Sequence, residues 1–380
     1  MTFEQLMDYA IEQDCSDVHI TVGTNLAVRR YGVLHILDER PTAEESLAMI
    51  YTILSNEEIA RVEAGEDVDL GLMIDNEIRI RANVYHQRNN LACSIRLLMA
   101  QIPEFEDLGL PEVVKSMATA KNGIILVTGP TGSGKTTTMS AIVDYINKIE
   151  AKHVITIEDP IEYIYPHNRA MIHQRELHRD TDSFAKALLS SLREDPDIIY
   201  VGEMRDFETI AAAITAAETG HLVLATLHTC GAAQTINRII DGSPADKQAI
   251  IRQQFATNIR GVISQQLLPI KDGTGRILAT EIMIGTTAIK NLILEEKIQM
   301  IHSTMQSSRS IGMHTLNEDL IRLYKEGFLS YQTIVDATYD LQDLEKALGL
   351  NKPIGAALIL VGAAGYAIML LHRRRQSEYA

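Results

Sequence analysis

The sequence has few cysteines and few basic residues for its length. Its three cysteines lie far apart and form no CxxC pair: they are Cys15, Cys93 and Cys230. They predict neither a disulfide framework nor a structural zinc site, which suits a reducing cytosol. Fifty acidic residues against 35 lysines and arginines give a formal net charge of −15. This balance, and the lack of a stripe that mixes aromatic and basic residues, argue against a nucleic-acid partner.

The composition is that of a globular protein. Apolar residues make up 46% and charged residues 22% of the 380 residues, so disorder is a poor description of the chain as a whole. The length allows two domains of ordinary size. The N-terminal stretch MTFEQLMDYAIEQD is acidic and mixed, which does not match a secretory signal.

The first part of the chain mixes helical and strand patterns. A helical opening precedes the strand-like stretches SDVHITVG and VRRYGVLHIL, and a second helical pattern runs around Ala43–Leu54. Two alternating segments follow, EIRIRANVY and LACSIRLL. In the first of them, Arg79 and Arg81 share one strand face. We therefore expect a small α+β domain over residues 1–98 and a linker, with prolines and several acids, over residues 99–115.

The middle of the chain alternates short apolar runs with helix-compatible sequence. The runs are GIILVTG, HVITIED, DIIYVGE and HLVLATLH. Such alternation is typical of an α/β fold with a mostly parallel sheet and helices on its faces. We expect this core over residues 116–287. Over residues 288–350 the patterns are helical only, and a helical C-terminal part is predicted there.

A phosphate-binding loop lies between the first apolar run and a helical pattern. The stretch GPTGSGKT matches GxxxxGK[ST] in full. Backbone N–H groups of such a loop close around a phosphate, and the following helix N-terminus adds partial positive charge. Lys135 is expected to bridge the β- and γ-phosphates of a nucleoside triphosphate, and the Thr136 hydroxyl to bind Mg²⁺. The predicted nucleotide-binding residues of this loop are Gly129, Pro130, Thr131, Gly132, Ser133, Gly134, Lys135, Thr136 and Thr137.

Two acidic stretches compete for the remaining roles. A P-loop enzyme needs one acid at the end of a neighbouring strand to position Mg²⁺, and another group to polarise the attacking water. The run DIIYVGE ends in Glu203, which fits the metal side, although such an acid also fits a helix cap. The cluster ITIEDPIEY holds Glu158, Asp159 and Glu162 around a turn imposed by Pro160. Position alone does not rank these three acids, and each also fits a solvated turn residue.

These motifs, in this order, resemble those of the secretion ATPase superfamily, which powers type II secretion and type IV pili. The run GPTGSGKTT resembles its Walker A motif, ITIEDPIEY its Asp box, DIIYVGEMRDFETI its atypical Walker B motif and GHLVLATLHT its His box. The resemblance covers about residues 1–350 and includes SDVH near the start. It implies a PAS-like N-terminal domain, a RecA-like P-loop ATPase core and a homohexameric ring.

The resemblance also assigns roles that the residues alone leave open. It implies that Glu162 activates the attacking water, that Glu203 serves the Mg²⁺ side and that His228 senses the γ-phosphate. His221, at the start of the same strand, matches the other histidine of the His box and is expected at the nucleotide. For either histidine, an ordinary strand-end residue is the alternative.

Arginines of the N-terminal domain are expected to contact the nucleotide. One lysine and Mg²⁺ do not fully neutralise the charge of the γ-phosphate, and many P-loop enzymes add an arginine from outside the core. The candidates are Arg79, Arg81 and Arg96, which the resemblance places against a nucleotide held by the C-terminal domain. A solvated strand face is the alternative.

Within the superfamily the chain looks like a pilus retraction motor. The run AIKNLILE resembles the signature AIRNLIRE of the retraction motors, with Lys290 and Leu294 in place of arginines. The apolar stripe of Ile289, Leu292 and Ile293 fits an ordinary packed helix equally well. The resemblance implies ATP hydrolysis coupled to pilus retraction at the cytoplasmic face of the inner (or only) membrane, with a platform protein as partner and the pilin fibre acted on indirectly. The alternatives are an assembly or secretion ATPase and a slowly hydrolysing, membrane-associated scaffold.

A segment without charged residues lies near the C-terminal end. Residues 353–371 read PIGAALILVGAAGYAIMLL, and three arginines follow closely. The segment approaches the ~20 residues that span a bilayer. A membrane span is the leading interpretation, and a buried or interfacial helix is the alternative. A single span would place the three arginines on the far side, against the positive-inside rule.

Overall fold

The computed structural model of the protein describes residues 1–30, 32–74, 78–98 and 102–349. Two sheets organise these residues, one near the N-terminus and one in the middle of the chain. The predicted α/β fold, with a small α+β unit before a mostly parallel sheet, is confirmed. The predicted apolar segment 353–371 lies outside the described residues. None of the helices within the described ranges is long and apolar enough to cross a membrane.

The N-terminal sheet has six strands, each antiparallel to its neighbours, in the order β3-β2-β1-β6-β5-β4. Its three helices each begin with a capping box, built on Thr2, Thr42 and Ser55, which satisfies N–H groups of the first turn. The elements of this unit are α1 (Phe3–Glu12), β1 (Cys15–Thr21), β2 (Ala27–Arg30), β3 (Val33–Ile36), α2 (Ala43–Thr52), α3 (Asn56–Glu63), β4 (Val68–Ile74), β5 (Ile78–Gln87) and β6 (Asn90–Leu98).

Alternation along β5 separates a core face from an arginine face. Ile80 and Ala82 lie in the apolar core of the N-terminal unit. Because successive side chains of a strand point to opposite faces, Arg79 and Arg81 lie together on the other face, as predicted. Arg81 is paired directly with Arg96 of β6. The N-terminal sheet therefore presents a group of guanidinium groups on one side.

The second sheet has seven strands in the order β13-β12-β7-β11-β10-β8-β9. Neighbouring strands from β12 to β9 are parallel, and β13 is an antiparallel edge strand. Its elements are α4 (Val113–Ala118), β7 (Gly123–Thr128), α5 (Lys135–Ile149), β8 (His153–Glu158), β9 (Met171–Glu176), α6 (Phe184–Ser191), β10 (Ile198–Val201), α7 (Phe207–Glu218), β11 (Leu222–Leu227), α8 (Ala232–Asp241), α9 (Gln248–Asn258), β12 (Ile259–Pro269) and β13 (Arg276–Ile284).

Helices cover both faces of this sheet, and two apolar clusters result. Every residue of β7 and β11 is therefore buried, which explains why these strands are continuous apolar runs rather than alternating ones. The four predicted runs correspond to β7, β8, β10 and β11. Four further strands, β4, β9, β12 and β13, were not predicted, and two of them widen the sheet beyond β7.

The described part of the chain after β13 is helical, as its pattern predicted. Its helices are α10 (Thr287–Leu294), α11 (Ile301–Ser307), α12 (Leu316–Lys325), α13 (Tyr331–Ala337) and α14 (Leu341–Ala347), and short 3₁₀ helices cover Phe105–Leu108, Ile298–Met300 and Arg309–Ile311. Of these helices, α12 and α13 pack against β13 and β12. In α10, Ile289 and Ile293 are fully buried while Leu294 is exposed. Lys290 donates to the Thr257 carbonyl at 2.6 Å, so this signature-like helix packs as an ordinary amphipathic helix.

The parallel strands bring the predicted motifs to one edge of the sheet. In such a sheet, the carboxyl ends of all parallel strands meet at the same edge. The phosphate loop follows β7, the acidic cluster follows β8, Glu203 follows β10 and His228 follows β11. These four segments are distant in sequence and are neighbours here.

Candidate functional site

A cavity of about 560 Å³ lies where this sheet edge meets the arginine face of the N-terminal sheet. Its volume is in the range of small-molecule sites, roughly 300–1,000 Å³. Predicted catalytic residues from both sheets line it, namely Arg81, Arg96, Lys135, Glu162, Glu203 and His228, together with the predicted Mg²⁺ ligand Thr136. Four residues of the phosphate loop line it as well, namely Thr131, Gly132, Gly134 and Thr137.

The phosphate loop has a backbone that only glycine allows at two points. Gly129 has φ 147°, and a Cβ there would lie 2.3 Å from the Gln265 carbonyl oxygen and 2.6 Å from Ser133 Oγ. Gly134 is left-handed, with φ 85°, and forms the N-cap of α5. Gln265 of β12 supports the loop through its Nε2, which donates to the Ser133 carbonyl at 2.6 Å. The sequence pattern GxxxxGK therefore reflects close packing of the loop against β12.

Lys135 lies at the base of the loop and is largely buried. Its Nζ donates to the carbonyl oxygens of Gly129 at 2.9 Å and Pro130 at 3.0 Å. Burial lowers the pKa of Lys135, and the charge of Glu203 opposes that effect. A phosphate oxygen is a charged acceptor and a stronger partner for this ammonium than a neutral carbonyl oxygen.

Glu203 and His228 form a contact between the ends of β10 and β11. His228 Nε2 lies 3.1 Å from Glu203 Oε1, and Arg205 Nη2 lies 2.7 Å from the other oxygen of Glu203. Burial works against ionisation of Glu203. The hydrogen bonds from Arg205 and His228 and the charge of Arg205 outweigh it, and the pKa of Glu203 lies below its ordinary value. The Glu203 carboxylate is thus ionised at neutral pH, as a ligand of Mg²⁺ must be.

Glu162 lies in the cavity beside the N-terminal arginines. Burial raises the pKa of Glu162, and the Thr136 hydroxyl and the charges of Arg81 and Arg96 work the other way. A carboxylate whose pKa is raised towards neutrality is a better proton acceptor than an ordinary one. The surroundings of Glu162 therefore suit a general base.

The other two acids of the cluster also line the cavity, namely the exposed Asp159 and the buried Glu158. Glu158 is 2% exposed and accepts hydrogen bonds from Thr156 Oγ1 at 2.6 Å and Gln174 Nε2 at 3.2 Å. Burial raises the pKa of Glu158 to about 7. These contacts fix Glu158 within the sheet, whereas Asp159 and Pro160 lie on the turn above it.

The donors of the cavity fit a nucleoside triphosphate with Mg²⁺. Apart from the contact of its Nζ with His228 Nδ1 at 3.4 Å, the Lys135 ammonium group donates to two neutral carbonyl oxygens of the loop. Phosphate oxygens would give this ammonium group charged acceptors. The Thr136 hydroxyl and the Glu203 carboxylate are hard oxygen ligands of the kind that Mg²⁺ prefers, with phosphates and water completing its shell.

Two predicted site residues are placed elsewhere. Arg79 lies on the same strand face as Arg81, but its Nη2 forms a buried ion pair with Glu176. His221 precedes β11, and its carbonyl accepts from Gly123 N at the start of β7, at the sheet edge opposite the phosphate loop. Its Nδ1 lies 3.0 Å from the Ala216 carbonyl. The length of β11 separates His221 from the phosphate-loop edge of the sheet. The expectation that His221 contacts a nucleotide bound by its own chain is therefore corrected.

The sequence interpretation also missed residues that line the cavity. Arg276, at the start of β13, adds a further guanidinium group. Tyr200 and Phe184 provide apolar surface to the cavity. The alternating stretch RILATEIMI would have indicated the strand that carries Arg276. No local pattern places that strand beside the phosphate loop.

Comparison with known proteins supports this geometry. The sequence profile of the family described as "Type II/IV secretion system protein" matches residues 1–335. The chain is 42% identical to the "Type IV pilus retractation ATPase PilT" of Pseudomonas aeruginosa, over 87% of this chain and 96% of that one. It is 43% identical to a "Twitching motility protein" of Neisseria gonorrhoeae, over 76% and 77%. A crystal structure of the "Pilus Retraction Motor PilT and Bound ADP" is 44% identical and superposes with a TM-score of 0.86, over 91% of this chain and 99% of that one.

Proposed function

Because the chain belongs to the family of type II/IV secretion system proteins, we propose that it is an ATP-hydrolysing motor for the retraction of type IV pili. One observation carries the proposal. A single cavity gathers the phosphate-loop lysine Lys135, the acids Glu162 and Glu203, His228, and arginines of the N-terminal sheet. The similarity to a pilus retraction ATPase and to a twitching motility protein supports pilus retraction as the work that hydrolysis drives.

In the proposed reaction, water attacks the γ-phosphorus of ATP, and the bond between this phosphorus and the β,γ-bridging oxygen breaks. Glu162 accepts the proton of the water, which its raised pKa favours. Lys135 moves from the loop carbonyls to the phosphates. His228 Nε2 lies 3.1 Å from Glu203 Oε1 and its Nδ1 lies 3.4 Å from Lys135 Nζ, so His228 responds to the γ-phosphate through the position of Lys135. Mg²⁺, when bound to Thr136 and Glu203, would supply charge that stabilises the leaving diphosphate.

The N-terminal arginines link hydrolysis to movement. Arg81 and Arg96 belong to the N-terminal sheet, yet they line a cavity whose loop belongs to the second sheet. Charge on the γ-phosphate attracts these guanidinium groups, and its loss after hydrolysis releases them. The two units therefore approach when ATP is bound and separate afterwards. In the proposed homohexamer, this motion acts on a platform protein in the membrane and, through it, on the pilin fibre.

A deletion strain scored for both piliation and motility tests the function. Loss of a retraction motor leaves abundant surface pili and abolishes twitching. A strain without pili would instead indicate an assembly ATPase and contradict retraction. The purified protein should hydrolyse ATP in a Mg²⁺-dependent steady-state assay. Binding of ATP without turnover would favour a regulatory scaffold over a motor.

A cytoplasmic position at the membrane is part of the proposal, with residues 353–371 as a membrane contact. The support is the charge-free sequence of this segment, close to the ~20 residues of a span. Membrane fractions of cells that express either the full chain or a version truncated after Asn351 test the contact. Equal amounts of both versions in the soluble fraction would contradict it, whereas detergent-dependent extraction of the full chain alone would support it.

A further inference from the structure

A buried ion pair joins the two sheets beside the cavity. Arg79, on the arginine face of β5, donates through Nη2 to Glu176 Oε2 at the end of β9. Both side chains are less than a tenth exposed. The pair thus connects the N-terminal sheet to the edge strand of the second sheet, at a point that the cavity itself does not include.

The same oxygen of Glu176 also holds the catalytic turn. Glu176 Oε2 accepts a hydrogen bond from the backbone N–H of Ile161 at 3.1 Å. Ile161 is buried and directly precedes Glu162. Glu176 is itself fixed, because its backbone N–H donates to Asp180 Oδ2 at 2.8 Å. One carboxylate oxygen therefore contacts both the N-terminal sheet and the segment that carries the proposed base.

A second contact across the units reinforces this arrangement. Arg179 Nη1 donates to the Gly71 carbonyl oxygen of β4 at 2.7 Å, and its side chain lies 3.5 Å from Glu176 Oε1. A Cβ at Gly71 would lie 3.1 Å from Arg79 Nη2, so the glycine leaves room for the guanidinium group. We call the group of Gly71, Arg79, Glu176 and Arg179 the interdomain latch.

Stability alone does not account for this pair. A buried ion pair loses hydration that its Coulomb attraction repays only when all its polar atoms are satisfied. Arg79 Nε is buried and has no hydrogen-bond partner within the described part of the chain. The pair therefore contributes little to the stability of the fold. It does fix the relative position of the two side chains, since the carboxylate and the guanidinium group have few alternative arrangements.

We propose that the interdomain latch makes Glu176 a positioning residue for Glu162, and that Arg79 couples this positioning to closure of the two sheets. Arg79 and Arg81 are two residues apart on one strand face, about 7 Å along the strand. A movement of β5 that brings Arg81 to the nucleotide therefore also brings Arg79 to Glu176. Glu162 is therefore held in position only when Arg81 lies at the nucleotide. This inference rests on the proposed hydrolysis of ATP.

Three variants test the latch in the full-length protein. Glu176→Gln keeps an acceptor oxygen for Ile161 N–H and removes the charge that pairs with Arg79. Arg79→Met removes the pair from the other side. The double variant of both changes leaves no unpaired buried charge and guards against loss of folding in either single variant. Arg61→Met, which breaks the exposed pair with Glu66 in the same unit, is the matched control.

The expected result is a fall in kcat of about tenfold or more in both single variants, because misplacement of a catalytic group by about 1 Å can cost as much as a hundredfold. The dissociation constant for Mg²⁺–ADP should stay within about threefold. The kcat of the double variant should be no lower than that of the slower single variant, because the effects of two residues that act through one shared contact are not additive. Arg61→Met should match the wild type.

Two results would overturn the latch. Variants that unfold at lower temperature but turn over ATP at the wild-type kcat per folded molecule would show a merely structural pair. Additive losses in the double variant would show that Arg79 and Glu176 act separately. A wild-type protein that binds ATP without turnover would overturn the proposed function itself, and the latch with it. Turnover by the wild-type protein therefore distinguishes failure of the latch from failure of the proposed function.

Discussion

His228 Nε2 lies 3.1 Å from Glu203 Oε1, and His228 Nδ1 lies 3.4 Å from Lys135 Nζ. An ammonium group only donates, so the tautomer that satisfies both contacts carries its hydrogen on Nε2. The imidazole therefore connects the acid at the end of β10 to the lysine of the phosphate loop. A γ-phosphate that draws Lys135 away breaks one of these contacts, which makes His228 sensitive to the nucleotide state.

Substitution of the two histidines of the His box by alanine should separate their roles. We expect His228→Ala to lower kcat by about a hundredfold, because it removes the imidazole that connects Glu203 to the lysine of the phosphate loop. His221→Ala should leave kcat near the wild-type value, since His221 lies at the opposite edge of the sheet. Steady-state ATPase assays with both variants measure this. A loss of similar size in both would contradict the placement of His221.

Glu162→Gln should abolish turnover without abolishing binding. A glutamine has the shape of glutamate but does not accept a proton, and loss of a general base lowers rates by about 10²–10⁴-fold. The affinity for Mg²⁺–ATP, measured by calorimetry, should stay within about threefold of the wild type. Hydrolysis at the wild-type rate in Glu162→Gln would exclude Glu162 as the base. Glu66→Gln, at an exposed position of the N-terminal unit that does not line the cavity, is the control and should remain active.

The acid limb of the pH–rate profile should depend on Arg81. The base acts only when ionised, so kcat falls as the pH drops through the raised pKa of Glu162. The positive charge of Arg81 lowers that pKa, and Arg81→Met therefore raises it further. We expect the acid limb of kcat to move to higher pH in Arg81→Met and to stay in place in Arg61→Met. An unchanged limb in Arg81→Met would mean that a group other than Glu162 controls it.

The sequence predicted those site residues whose position depends only on the direction of the parallel strands. The phosphate loop and Glu203 each follow an apolar run, and parallel strands bring such ends together. His221 stands at the beginning of its run, and the structure places it at the opposite edge of the sheet from the phosphate loop of its own chain. Arg79 and Arg81 share one face by alternation. Which of them enters the cavity depends on how the two sheets meet, and no local pattern encodes that. Arg276 was missed for the same reason.

Glu158→Gln should stabilise the protein in a pH-dependent way. The unfolded chain releases the Glu158 proton near the ordinary pKa of 4.5, whereas the folded protein retains it up to about 7. The free energy of unfolding contributed by Glu158 therefore falls as the pH rises between these values and stays low above them. This shift corresponds to about 3 kcal/mol at most. Glutamine carries no charge and avoids the loss.

Urea unfolding at about pH 5 and about pH 8 measures this effect. The variant should gain little over the wild type at the lower pH and most of the ~3 kcal/mol at the higher one. Glu66→Gln, at an exposed position of the N-terminal unit, is the control and should show no such dependence. A gain that is equal at both values of pH would indicate better packing of glutamine rather than removal of a buried charge.

Gly129→Ala should destroy the phosphate loop, whereas an alanine at another left-handed glycine should not. A Cβ at Gly129 would lie 2.3 Å from the Gln265 carbonyl oxygen, and this backbone atom of β12 has little room to move. The loop must shift, and we expect nucleotide binding to fall by about a hundredfold or more, which corresponds to about 3 kcal/mol.

Gly23→Ala is the control, because Gly23 has φ 81° with open space around it. It carries only the backbone cost of about 1–2 kcal/mol in stability. Calorimetric titration with Mg²⁺–ADP should show binding by Gly23→Ala and none by Gly129→Ala at the same concentration. Binding by both would mean that the loop and β12 are not packed as closely as these contacts require.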